Sequence, residues 1–102
     1  MQLALVVYGA RETKAVTVTN AAVKALADFS FTAPHAERAR RATVTAGAVA
    51  VRVTWSGTNP TTTLGHVIAA YENMTIDGPA NVGNLKLIST AGDSVVSVTL
   101  EY

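Results

Sequence analysis

His35, His66 and seven carboxylates are the side chains here equipped for acid–base or metal chemistry, since the chain has no cysteine. Neither histidine has a second histidine at the i, i+2 or i, i+4 spacing that most histidine metal sites use. The carboxylates Glu12, Asp28, Glu37, Glu72, Asp77, Asp93 and Glu101 form no D-x-D or E-x-x-E pair. Glu72, Asp77 and Asp93 stand among turn formers, where carboxylates cap backbone amides. A glycosidase needs two carboxylates converging in a cleft, and a chain this short leaves little room for one. No nucleophile elbow or dinucleotide fingerprint is present, and Gly78 and Gly83 bracket what reads as a loop with no helix behind it. The residues predict a protein that is not an enzyme, with no catalytic residue, cofactor or metal.

Arg38, Arg40 and Arg41 make the one charge cluster, with Arg52 nearby in the pattern. Read as a strand, the segment puts Arg38 and Arg40 on one face and Arg41 on the other. Two roles fit: a contact to an acidic protein surface or nucleic acid, or a solvated edge strand whose charge blocks unwanted pairing. No aromatic residues interleave with the arginines, which disfavours nucleic acid, as does a net charge of only +1. Tyr8, Trp55, Tyr71 and Tyr102 are candidates for a sugar-stacking platform, although strand and core aromatics explain them more simply. Asn73-Met74-Thr75 matches the N-glycosylation sequon but reads as a chance match without an export signal.

The elements that would carry these residues read as strands. Val49, Val51, Val53 and Trp55 alternate with Ala48, Ala50, Arg52 and Thr54, the period of a half-buried strand, and the first four belong to the core. Ser56-Gly57-Thr58-Asn59-Pro60 then turns, and residues 57 to 62 read as an exposed contact loop. Leu3, Leu5 and Val7 alternate with residues that are also apolar, as in a strand buried on both faces or against another subunit. Gly9 to Thr13 suits a hairpin turn, and Val16 and Val18 face inward from the strand after it. Residues 21 to 28 read as a loop or half-strand, with a short helix as the alternative, before Phe29-Ser30-Phe31-Thr32 alternates again. Ala33-Pro34-His35-Ala36 is a break. Thr61 to Ile68 reads as extended, Leu85 and Leu87 share a face, and the last strand turns Val96, Val98 and Leu100 inward.

These add up to about eight short strands with frequent turn signals and no helical period, so the fold class is all-β, an antiparallel β-sandwich. At 102 residues the chain makes one domain, residues 1–102, with room for one core. Charged residues are 15% of the chain, against roughly 25% in an ordinary soluble domain. That shortage falls on the surface and predicts cover by a partner or by further copies. The apolar run at residues 1 to 8 lacks a basic leader and is too short to span a bilayer, so no membrane association is expected.

The half from Ala48 to Tyr102 resembles small structural proteins of tailed bacteriophages and prophages. The resemblance rests on Val49-Ala50-Val51-Arg52-Val53, Gly57-Thr58-Asn59-Pro60-Thr61, Thr63-Leu64-Gly65-His66, Met74-Thr75-Ile76-Asp77-Gly78, Asn84-Leu85-Lys86-Leu87-Ile88 and Val96 to Tyr102. Glu72-Asn73 departs from the Gly-Asp turn usual in such proteins. The resemblance implies a jelly-roll-like sandwich made in the host cytoplasm and carried on the virion surface. It implies a capsid decoration or cement protein that binds the major capsid protein, with a homo-oligomer, preferably a trimer. It brings no catalytic residues. The expected partner contacts are Leu3, Leu5, Val7, Arg38, Arg40, Arg41, Thr58, Asn59 and Pro60. The alternatives are a tail or head-completion component of the same fold, and a carbohydrate-binding sandwich that uses Trp55.

Overall fold

A computed structural model describes residues 10–102. Eight strands run in chain order: β1 (Arg11–Val18), β2 (Lys24–Ala25), β3 (Arg41–Thr45), β4 (Val51–Thr54), β5 (His66–Ile68), β6 (Asn73–Asp77), β7 (Lys86–Ser89) and β8 (Ser94–Glu101). A 3-10 turn (Leu26–Phe29) and helix α1 (Ala33–Arg38) lie between β2 and β3, and helix α2 (Pro79–Gly83) lies between β6 and β7. The strands form two four-stranded sheets, β1-β8-β3-β6 and β2-β7-β4-β5, with every pair antiparallel.

The order has a simple origin. The first strand pairs with the last, the second with the seventh, the third with the sixth and the fourth with the fifth. That is one long antiparallel ribbon bent at the β4–β5 hairpin. Rolling the ribbon brings β8 beside β3 and β7 beside β4, which is the jelly roll. The expected all-β, jelly-roll-like sandwich of about eight strands is the observed one.

The period-two pattern decides which side of each strand is buried. Val96, Val98 and Leu100 of β8, Ala42 and Val44 of β3 and Ile76 of β6 face Val51 and Val53 of β4, Leu87 of β7 and Ile68 of β5 across one core. Val18, Phe29, Val82 and Leu85 complete it. Val51 and Val53 are fully buried and Trp55 packs against the core, so the inward register expected for this strand holds. Val49 lies before β4 and is only half-buried.

Several local expectations are corrected. Both segments read as prolyl breaks are short helices, because Pro34 and Pro79 occupy the first turn, where a missing amide costs nothing. The strand expected at residues 29 to 32 is absent; Lys24–Ala25 pairs with β7 instead, and the Asp28 carboxylate accepts from the Ala25 amide at 2.7 Å. Arg11 to Thr13, read as a turn, already belong to β1. Thr61 to Leu64 are not extended: the Thr61 amide donates to the Leu64 carbonyl and the Leu64 amide to that of Thr61. Leu3, Leu5 and Val7 lie outside the described residues.

Short links join the two sheets at one end, through residues 19–23, 46–50, 69–72 and 90–93. The longer connections, residues 26–40, 55–65 and 78–85, emerge at the other end. Only Glu72 and Asp93 are charged in the short links, whereas Arg11, Glu12, Arg41, Asp77, Lys86 and Glu101 cluster at the strand termini of the opposite end. The sandwich therefore has a charge-poor, alanine-rich end and a charge-rich end.

Candidate functional site

The arginines anticipated as contacts lie at the charged end, on three different supports. Arg38 closes α1, Arg40 lies in the link after it, and Arg41 begins β3. They do not share a strand, so the expected division of faces fails, and β3 is no edge, because β8 and β6 flank it. Arg41 spans its two neighbours: its Nε donates to Asp77 Oδ1 at 2.6 Å, and its Nη1 lies 3.9 Å from Glu101 Oε1. The bond to Asp77 and the two carboxylate charges raise the guanidinium pKa further. Arg41 is thus committed within the protein. Arg38 and Arg40 are exposed and make no ion pair among the described residues.

On the same end, Glu12 gathers four groups from separate segments. Its Oε1 accepts from His35 Nδ1 at 2.8 Å and from the Thr32 amide at 3.1 Å. Its Oε2 accepts from the Thr32 hydroxyl at 3.0 Å, with Lys14 Nζ at 3.9 Å. The bond to His35 and those from Thr32 hold the Glu12 carboxyl below its ordinary pKa, against an opposing effect of burial. The His35 ring stacks on Tyr102 with centroids 4.0 Å apart. This cluster ties α1 to the first and last strands. Thr32, His35 and Tyr102 lie 20, 23 and 90 positions from Glu12, and no local sequence pattern announces the cluster. No group of three metal-ligating side chains occurs among the described residues.

The third feature is the β4–β5 loop. The sequence marks Gly57 to Thr62 as exposed, but Pro60 is fully buried, its ring tucked beneath Gly65. Thr58 and Asn59 are exposed. The loop is pinned throughout. Thr54 Oγ1 donates to the Thr58 carbonyl at 2.6 Å, and Arg52 donates to the Thr62 and Gly65 carbonyls at 3.3 and 2.9 Å. Lys86 Nζ reaches Asn59 Oδ1 at 2.9 Å and the Gly57 carbonyl at 3.4 Å, while Thr61 Oγ1 accepts from the Leu64 amide. A loop so bonded is preorganised, with little ordering left to undergo on contact.

Beside this loop an open groove of about 400 Å³ is lined by Thr54, Trp55, Ser56, Thr58, Leu64, Gly65 and His66. The Trp55 and His66 rings stack at 4.6 Å with an 18° interplanar angle. The pairing follows from register, since Val53 stands opposite His66 in the hairpin. Ten intervening residues hide it in the sequence. The four-ring platform does not form: Tyr71 projects from the opposite, charge-poor end, Tyr102 stacks on His35, and Tyr8 lies outside the described residues. No helix among the described residues is long and apolar enough to cross a membrane.

Comparison with protein-family models, with curated proteins and with solved structures finds no match to this chain.

Proposed function

We propose that this chain is a structural virion protein that decorates and cements an assembled phage head, bound to the major capsid protein as a homo-oligomer, with a trimer favoured. The observation that carries the reading is convergence. Arg38, Arg40 and Arg41 and the Thr58–Pro60 loop come from separate parts of the chain and meet at one end of a jelly roll. A jelly roll hosts many functions, so the architecture supports the reading only together with that end and with the sequence resemblance.

The physical work is modest per subunit. A cement protein that binds the assembled shell and not the free subunits stabilises the shell by mass action. Symmetry multiplies weak contacts into tight retention. A rigid loop at the same end as two uncommitted arginines suits such contacts, because the loop has little ordering left to undergo on docking. Exposed Arg38 and Arg40 steer the approach to an acidic surface and make binding weaken with salt.

The test is co-sedimentation of the purified chain with undecorated shells. Saturable binding at on the order of hundreds of copies per particle is expected of symmetric decoration. A stoichiometry of about six or twelve assigns the chain to a connector or tail position instead, by the symmetry of those parts. A chain that remains monomeric and binds no shell refutes the virion reading.

A further inference from the structure

The groove at Trp55 and His66 has a chemistry that decoration does not use. We infer that it is a binding site for a neutral pyranose, a single sugar ring of a glycan. The inference rests on no part of the virion reading.

The lining selects for this ligand class step by step. No charged side chain lines the groove. The two cations nearest in sequence and register, Arg52 and Lys86, have their heads committed to loop oxygens. A phosphate, nucleotide or carboxylate would find no counter-charge, so the ligand is neutral. The stacked rings of Trp55 and His66, with Leu64 opposite, offer an apolar, aromatic step. Aromatic rings of this kind cover a ligand's apolar face while their polar edges stay wet.

The remaining groups ask for hydroxyls. The Ser56 and Thr58 hydroxyls, the indole N–H and the His66 ring nitrogens make no hydrogen bond among the described residues. Hydroxyls donate and accept and can serve all of them, and the imidazole takes either role. A pyranose combines such hydroxyls with an apolar C–H face. At about 400 Å³ the groove lies within the range of small-molecule sites, and its pinned loop is already shaped for a ligand.

Trp55 is the sole tryptophan, so its fluorescence reports on this groove and nowhere else. The isolated full chain is titrated with methyl glucoside, galactoside, mannoside and N-acetylglucosamine. Sorbitol, which has the hydroxyls without the ring face, serves as the control. At least one pyranoside is expected to change the emission saturably, with a Kd of about 1–10 mM for a ring-sized ligand. Trp55 packs on the core, so the variants are His66→Ala and the double variant Ser56→Ala/Thr58→Ala, each checked for fold by circular dichroism. Each should weaken binding at least about fivefold, a loss in the range of one hydrogen bond or stacking contact. Three results overturn the inference: no saturation up to about 100 mM, ten times the weakest Kd expected; an equal response to sorbitol; or unchanged affinity in both folded variants.

Discussion

Gly47→Ala is expected to be among the most damaging single-methyl changes in this protein, although Gly47 sits in a link that reads as an ordinary turn. Its φ is not left-handed, so the requirement is space. A Cβ at position 47 would lie 2.4 Å from the Val95 carbonyl oxygen and 2.7 Å from the Val95 nitrogen. Ordinary contact begins near 3.4 Å, so the link must retreat by about 1 Å from β8, a backbone that cannot rotate aside. Retreat strains three hydrogen bonds. The Gly47 amide donates to Ser94 Oγ at 3.0 Å, Ser94 Oγ donates to the Val49 carbonyl at 2.7 Å, and the Tyr71 amide donates to the Gly47 carbonyl at 3.0 Å. Overpacking and weakened bonds together should cost about 3 kcal/mol, a large share of the roughly 5–15 kcal/mol that holds a domain folded. For a domain of this size, Tm should fall by roughly 12–24 °C. Two other glycines calibrate the effect in urea denaturation. At Gly83 a Cβ meets nothing within 4 Å, and Gly83→Ala should stay within about 0.5 kcal/mol of the parent. At Gly57 the space is open but φ is +93°, and Gly57→Ala should cost about 1–2 kcal/mol through backbone strain alone. A Gly47→Ala midpoint equal to that of Gly83→Ala would refute the close approach of this link to β8.

Leu100→Ala, at a fully buried position on a strand flanked on both sides, should cost about 2–5 kcal/mol. Val95→Ala, on the exposed face of the same strand, should stay within about 0.5 kcal/mol; equal effects would contradict the register. Glu12 has a lowered folded pKa, so its contribution is present above the unfolded value of 4.5 and is lost as pH falls through the lower folded value. Glu12→Gln should therefore be less stable than the parent near neutrality and should approach it on acidification, read from urea midpoints against pH. Arg52→Met keeps the stem and removes both donors to the 62–65 loop; it should cost about 1–3 kcal/mol and red-shift Trp55 emission as the loop loosens.

What was legible in the sequence was whatever repeats with period two. Val16 and Val18, Val51 and Val53, and Val96, Val98 and Leu100 declare their inward faces by alternation, and the structure buries them or packs them on the core. The prolines were misread for a physical reason: Pro34 and Pro79 stop a helix only from within, and here each stands in a first turn. Pro60 misled in the other direction, because turn composition says nothing about which turn residue the fold lays inward. The arginine cluster was visible as composition, but its division between a helix, a link and an interior strand depends on the rolled topology. The Glu12–His35–Tyr102 cluster and the Trp55–His66 stack were invisible, since each is made by pairing across the roll or the hairpin and not by spacing along the chain.

The nested pairing of strands also sets an order in time. Arg11 at the start of β1 finds its ladder partner in Glu101, ninety positions later, and β2 waits for β7. Among the described strands, only β4 and β5 pair as consecutive neighbours. During synthesis β1 thus waits longest among the described strands for its neighbour, and the β1-β8-β3-β6 sheet closes only when β8 has left the ribosome. A topology of such distant partners folds in milliseconds to seconds, with bare strand edges exposed meanwhile to other nascent copies. The β4–β5 hairpin, with its tied loop, is the piece able to form earliest.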